Sequence, residues 1–419
     1  MGKTFAEKML AAKSGRGSVE PGEIVTVRPD HLLTHDNTAA IIGKIADELD
    51  TYGIADSGLP VIVIDHVVPA ASEKTAANHK KIREFVGKFG IRNFYDVGEG
   101  ICHEVLVAKG YAMPGSLVVG SDSHTCTYGA VGAFATGIDR TEAAAIMLTG
   151  KTWFKVPHSI KIVLAGELPA PVSAKDLVLT MIGDIGASGA NYMSVEFHGD
   201  VGALDFESRM TIANMGVEMG AKNAVFPVDA VTRKYLEDIG AVDGWEAVEA
   251  DDDAEYRRTL TYDLSGIEPV VARPHGVDNV APARDLGDVT IDQFLIGTCT
   301  NGRLGDFKAA ARILRGKQVK PGSRLLVLPA SRDILLEAVN DGTIPMLIDS
   351  GATVLPPGCG PCLGAHQGVL APGESCLSTA NRNFKGRMGC KDAEIYLASP
   401  ATVAASALEG RIVDPRDFV

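Results

Sequence analysis

Short β-branched runs alternate along the chain with longer stretches rich in alanine and leucine. Val61-Ile62-Val63-Ile64 precedes a helical stretch around residues 73–89, and Ser116-Leu117-Val118-Val119 precedes an Ala-rich run at 129–148 that reads as helix. Ile291 to Ile296 and Leu325-Leu326-Val327-Leu328 each precede a further helical stretch. Strands separated by helices suit parallel pairing, so the pattern predicts an α/β fold with largely parallel sheets. Two composition shifts interrupt it, at Lys155-Val156-Pro157-His158 and at the Pro/Gly/Asp-rich stretch Arg273-Pro274-His275-Gly276-Val277-Asp278 that carries on to Pro282. They divide the chain into expected units at 1–157, 158–275 and 276–419.

Composition narrows the function classes. The 419 residues are 46% hydrophobic and 22% charged, the profile of a packed globular protein. Forty basic against fifty-three acidic residues leave a net charge of −13, with no Lys/Arg block longer than a pair. Nucleic acid and anionic membranes call for a basic footprint, so neither is an expected partner. No apolar run approaches the roughly 18 residues of a membrane span. Lys3, Glu7 and Lys8 stand where a signal peptide would have its apolar stretch, and a cytoplasmic protein is expected. The triple Asp251-Asp252-Asp253 reads as a solvated loop.

Seven cysteines, an odd number, favour thiol, metal or cluster chemistry over a disulfide framework. Cys359-Gly360-Pro361-Cys362 sits in a segment too rich in Gly and Pro for a helix or strand interior. Three readings stand. A redox dithiol wants its first cysteine at a helix N-terminus after a strand, which Pro356-Pro357-Gly358 opposes. Structural zinc wants a second pair of ligands at matched spacing. An iron–sulfur cluster on three thiolates, with Cys299 as the third, leaves one iron open to act as a Lewis acid. Cys126 rivals Cys299, because residues 125–134 and 298–307 share Thr-Cys-Thr-x-Gly-x-x-Gly-x-Phe. That echo fits either two α/β units with one kind of Gly-lined turn or two related halves facing one cleft. Cys102, Cys376 and Cys390 read as buried small side chains.

Acid–base residues gather where apolar runs end. Asp65-His66 follows Val63-Ile64, and Asp122-Ser123-His124 follows Val118-Val119-Gly120-Ser121. Ligands of α/β sheets bind at such carboxyl ends, and an Asp beside an imidazole can hold it protonated as an acid near pH 7. Gly98-Glu99-Gly100-Ile101-Cys102-His103 and Val195-Glu196-Phe197-His198-Gly199 add titratable groups beside glycines. Arg382 and Arg387, five apart in Asn381-Arg382-Asn383-Phe384-Lys385-Gly386-Arg387, suit a di- or tricarboxylate, since guanidinium forks grip carboxylates bidentately.

Together these segments closely resemble the aconitase superfamily, and within it the large subunits of two-subunit hydro-lyases of the isopropylmalate isomerase and homoaconitase type. The resemblance runs from about Lys3 to the C-terminus. It rests on Gly-Thr-Cys-Thr-Asn-Gly-Arg, Pro-Gly-Cys-Gly-Pro-Cys-Leu-Gly, Ser-Asp-Ser-His-Thr, Val-Glu-Phe-His-Gly and Asn-Arg-Asn-Phe-x-Gly-Arg. It implies three α/β domains around a central cleft and a [4Fe–4S] cluster on Cys299, Cys359 and Cys362. The implied reaction dehydrates a malate-type acid and rehydrates it with hydroxyl and hydrogen exchanged, 2-isopropylmalate leading, with homoaconitase or a methylmalate or dimethylmalate dehydratase as alternatives. By motif position, Asp65 and His66 assist loss of the hydroxyl, Asp122 and His124 complete their network, and Glu196 and His103 lie by the open iron. Ser123, Arg382 and Arg387 bind carboxylates, and His35 approaches the substrate. The Cys126-Thr127 pair replaces the Pro-Asn of single-chain aconitases, which speaks against citrate. No swivelling fourth domain with its catalytic serine follows residue 419, so a small partner subunit of roughly 160 residues, about one domain, is expected to supply it.

Overall fold

The computed structural model describes residues 2–419. Three parallel-rich sheets follow one another along the chain. The first holds five strands in the order Asn93–Tyr95, Pro60–Val63, His31–Thr34, Leu117–Gly120, Phe134–Gly137, every pair parallel. The second holds four parallel strands, Asn223–Val225, Ser194–Gly199, Ser159–Ala165 and Arg258–Asp263. In the third, Glu394–Leu397, Ser375–Ser378, Gln293–Gly297, Arg324–Leu328 and Ala352–Val354 pair in parallel, and Val270–Ala272 and Val280–Pro282 add an antiparallel edge. Val270–Ala272 thus pairs into the third sheet although it precedes the 275/276 joint drawn from composition.

Helices cover both faces of these sheets, which is why the central strands are buried at every position: Pro60–Val63, Leu117–Gly120 and Gln293–Gly297 expose none of their residues. The stretch at 73–89 is the helix Glu73–Phe89, capped by Ser72 accepting from Thr75 N at 3.2 Å and closed by Gly90 in the left-handed region; His79, Ile82 and Phe85 form its inward stripe. The Ala-rich run 129–148 is not one helix. A 3₁₀ turn, Ser123–Val131, ends at Gly132, the chain then forms the strand Phe134–Gly137, and a helix resumes only at Arg140–Thr149. Asp251 is tied down as well, since its carboxylate accepts from Lys3 N at 2.7 Å and pairs with Lys8. One buried apolar cluster extends from Leu33 and Val61 through Ile162 and Phe197 to Leu295 and Leu397, so the three sheet units share a core. No helix of the described residues is long and apolar enough to cross a membrane.

Candidate active site

The carboxyl ends of the first and third sheets face each other, and the residues that leave those ends meet between them. His31–Thr34 runs into His35-Asp36, Pro60–Val63 into Asp65-His66, and Leu117–Gly120 into Asp122-Ser123-His124. Opposite, Gln293–Gly297 runs into Cys299, Ala352–Val354 into the Cys359 loop, and Ser375–Ser378 into Asn381-Arg382. This is where parallel sheets bind ligands.

Asp65 connects the two sides. Its Oδ1 lies 2.6 Å from His66 Nδ1 and its Oδ2 accepts from Cys102 N at 2.7 Å. Its backbone carbonyl accepts from Cys359 N at 2.8 Å. That approach requires glycine at 358, where a Cβ would stand 2.8 Å from the same carbonyl oxygen. His66 Nε2 reaches Asp122 Oδ2 at 3.4 Å. Burial opposes a charge on His66, but the carboxylates of Asp65 and Asp122 outweigh it and hold the imidazole well above its ordinary value. The Asp36 carboxylate accepts from the backbone N–H groups of Asp65, His66 and Val67 at 2.9, 2.8 and 3.2 Å, and meets His79 Nε2 at 2.9 Å. It therefore fixes the turn that aims His66.

A second carboxylate, Asp122, gathers the other imidazoles. Its Oδ1 meets His103 Nε2 at 2.8 Å and accepts from His124 N at 2.7 Å. Burial works against its charge, yet His103, His124 and His66 together hold it well below the carboxylate range. His103 Nδ1 faces the Tyr128 hydroxyl at 3.2 Å. Ser123 Oγ lies 3.5 Å from His124 Nδ1. His124 Nε2 continues to Glu218 Oε1 at 2.9 Å, and the same oxygen accepts from Arg382 Nε at 2.7 Å.

His35 stacks on His66 with ring centroids 3.8 Å apart, and its Nδ1 is buried without a partner. Burial, then the neighbouring His66, push it down to about 4. A histidine whose folded value lies below the unfolded one stays neutral while the unfolded chain protonates, so its contribution is complete above about pH 6.5 and is lost as pH falls toward 4. His35→Gln should therefore remove an acid-dependent loss of about 3 kcal/mol. Urea midpoints at pH 7 and pH 4.5 for both chains check this; an equal acid loss in the variant would contradict it.

On the opposite wall, Cys299, Cys359 and Cys362 are free thiols. Cys299 Sγ accepts from Asn214 Nδ2 at 3.3 Å and from Asn381 Nδ2 at 3.4 Å, and Cys362 Sγ accepts from Arg387 Nη2 at 3.3 Å. The bond to Cys359, followed by Arg387, holds the Cys362 thiol well below its ordinary value. Donors aimed at sulfur suit thiolate ligands. Among the described residues the three sulfurs do not all gather within 4.8 Å, whereas tetrahedral zinc thiolates with bonds of about 2.3 Å bring sulfurs to about 3.8 Å. The N–H donors on Cys299 and Cys362 suit the anionic sulfur ligands of a cluster. The backbone before Cys299 is strained, with Thr298 at φ 72° and Gly297 packed so that a Cβ would lie 2.2 Å from Leu328 O. The echoing turn brings Cys126 near as well, but as a donor: its thiol points at Asn214 O at 3.4 Å. Both echoing turns thus converge on Asn214, whose Nδ2 also donates to Thr127 Oγ1 at 2.9 Å. Cys102 and Cys376 are buried, whereas Cys390 is half-buried, a departure from the expectation for it.

Glu196 is not part of this assembly. It lies within the strand Ser194–Gly199, where Val195 and Phe197 point into the core and Glu196 and His198 take the other face. There its carboxylate accepts from Ser159 Oγ at 2.7 Å, Phe5 N at 3.2 Å and Tyr256 OH at 3.1 Å, under the N-terminal helix Phe5–Ser14. The carboxylate that does reach the site is Glu218, which the sequence reading passed over. It sits in the turn Gly216–Met219 after the helix Phe206–Met215, which carries Asn214 at its last turn. A lone Glu and Asn bracketing Met215-Gly216-Val217 in an otherwise apolar stretch was the available signal.

A family model described as "Aconitase family (aconitate hydratase)" matches residues 7–287 and 277–410. "3-isopropylmalate dehydratase large subunit 1" of Methanopyrus kandleri is 49% identical over 420 residues, all of both chains. "Probable methanogen homoaconitase large subunit" of Methanosarcina mazei is 51% identical over 388 residues, 92% of this chain and 98% of that one. Among solved structures, holo-form aconitase X of Thermococcus kodakaraensis shares the fold at a TM-score of 0.52 and 14% identity, covering 85% of this chain and 84% of its own. Matched by the family model across most of its length and about half identical to full-length relatives, the chain belongs to the aconitase family.

Proposed function

We propose that the chain is the large, cluster-bearing subunit of a cytoplasmic hydro-lyase that interconverts 2-isopropylmalate and 3-isopropylmalate, a step of leucine biosynthesis, by removing and re-adding water. The observation that carries this is the double role of Asp65, whose side chain charges His66 while its backbone carbonyl holds the cysteine loop. The acid and the thiols belong to one site. Cys299, Cys359 and Cys362 would hold a [4Fe–4S] cluster, which when bound supplies a Lewis acid for the departing hydroxyl.

Dehydration removes a proton from the carbon beside one carboxylate and expels hydroxide from the neighbouring carbon. His66, charged between Asp65 and Asp122, gives the hydroxyl the proton with which it leaves as water. Ser123, Arg382 and Arg387 grip the carboxylates, Arg387 beside the cysteine loop, where its Nη2 donates to Cys362 Sγ. Glu218 sets the angle of both His124 and Arg382. His103, bound to Asp122, holds that carboxylate toward His66. No group among these is a convincing base for the carbon-bound proton, so a small subunit of roughly 160 residues, about one domain, brings the serine that takes it and closes the cleft.

Homoaconitase is the second reading, favoured by the Methanosarcina relative at 51% identity. An activity screen of the iron-loaded chain with its small partner, over isopropylmalate, homocitrate, methylmalate and dimethylmalate, tests the substrate. Turnover is expected on isopropylmalate; turnover on homocitrate alone would shift the assignment.

The exchange of Glu218 for Glu196 is tested directly. Glu218→Gln should lower turnover by about 10²-fold, as loss of a group that orients the acid–base and carboxylate-binding side chains does. Glu196→Gln should leave turnover unchanged and lower the melting temperature instead, because it clamps Phe5 N and Tyr256. The opposite pattern would restore Glu196 to the catalytic set.

A further inference from the structure

Lys175 is wholly buried in the first turn of the helix Ala174–Ile185, which belongs to the second sheet unit. Its Nζ donates to the carbonyl oxygens of Thr379 at 2.8 Å and Ala380 at 2.7 Å, in the third. Its neighbour Asp176 is engaged elsewhere, accepting from Ser173 N at 2.9 Å and Val270 N at 3.2 Å. A buried ammonium held by two neutral carbonyls is costly, because dipoles replace only part of the lost hydration. Burial pushes Lys175 down to about 7, and the first group pulling it back up is Cys299, followed by Cys362.

The carbonyls that it grips lie at a junction. Thr379 Oγ1 accepts from Gly297 N at 2.9 Å and donates to Gly297 O at 3.0 Å, just before Cys299. Ala380 precedes Asn381, whose Nδ2 reaches Cys299 Sγ. The ammonium therefore sits where the two turns around the thiols are tied together, with no carboxylate paired to it among the described residues.

We propose that Lys175 is a positioning residue that acts as the buried counter-charge of the Cys299 and Cys362 sulfurs, far more favourable once they carry charge as cluster ligands than while the chain is empty. This rests on the iron–sulfur reading above. It predicts a larger loss on removing the charge from the loaded chain than from the empty one. In the empty chain Lys175→Met removes a buried charge but also leaves the Thr379 and Ala380 carbonyls without their donor, so the melting temperature should fall only slightly. In the loaded chain the same change leaves the anionic group without its cation; the reduction potential should fall, and loss of iron in air should quicken by roughly tenfold. Lys175→Arg, which keeps the charge, should hold iron about as well as the wild type.

The test compares melting of empty and loaded forms of the full chain by circular dichroism, the rate of absorbance loss in air, and the reduction potential, for wild type, Lys175→Met and Lys175→Arg. A simple structural pin would give a different result, with Lys175→Met lowering both melting temperatures alike, or failing to fold even when empty. Either outcome overturns the proposal, as does a loaded Lys175→Met that keeps the wild-type potential and iron. A wild-type chain that takes up no iron and sulfide would instead sink the cluster reading, and this proposal with it; the wild-type iron assay distinguishes that case.

Discussion

Serine at Cys299, Cys359 or Cys362 should leave the anaerobically purified chain without iron–sulfur absorbance, while serine at Cys126 should leave most of it. All four cysteines lie close to the same site, so proximity does not separate them; side-chain N–H donors aimed at sulfur separate Cys299 and Cys362, with Cys359 bonded to Cys362, from Cys126. Cys299 accepts N–H groups from Asn214 and Asn381, and Cys362 accepts one from Arg387 at 3.3 Å beside a longer S–H contact to Asn381 Oδ1 at 3.7 Å. Such donors stabilise a negative sulfur and would be left facing a poor acceptor by a protonated thiol. Cys126 does the reverse, sending its S–H toward Asn214 O, an arrangement that needs the proton. Burial pushes the Cys126 and Cys299 thiols alike up to about 12, so the side-chain donors on Cys299, and not burial, set the two apart. A serine hydroxyl ionises even less readily than a thiol, so it replaces Cys126 as a donor but not the other three as ligands. Retention of the cluster in Cys299→Ser together with its loss in Cys126→Ser would reverse the assignment.

The next largest effect is expected at His66. His66→Ala and Asp65→Asn should lower turnover by about 10²- to 10⁴-fold, the range for loss of a positioned acid. Both variants should still load iron, because the Asp65 group that holds Cys359 is its backbone carbonyl, which survives a side-chain change. Measured kcat alongside iron content separates this from a structural role, which would reduce both. Near-normal turnover in His66→Ala would remove it from the mechanism.

Much of this site was legible in the chain because parallel strands announce their ends. A four-residue apolar run followed at once by Asp-His, or by Ser-Asp-Ser-His, leaves the polar groups nowhere to go but the carboxyl edge of the sheet, and there Asp65, His66, Asp122 and His124 are found. Glu196 misled for the same reason inverted. It also stands beside a His and a Gly, but its strand continues through Gly199, and the two-residue alternation turns it beneath the N-terminal helix. Glu218, Asn214 and Asp36 were not legible. Glu218 acts on residues 94 and 164 positions away, and Asn214 on residues 85 and 87 away, so only the packing of the second unit against the other two brings them in, while Asp36 reaches a turn 29 to 31 positions on within the first unit. The Ala-rich run at 129–148 failed locally, because Gly132 and Gly137 interrupt it and Phe134-Ala135-Thr136 finds a partner in Leu117–Gly120 that no local pattern reveals.

The measurement closest to the centre of this account is turnover of isopropylmalate by the iron-loaded chain, alone and after mixing with a separately purified small subunit. Formation of the unsaturated acid and of the isomer is followed in the same reaction. The account predicts neither product from the chain alone and both on mixing, with the iron–sulfur absorbance unchanged throughout. Full activity of the chain alone would contradict it.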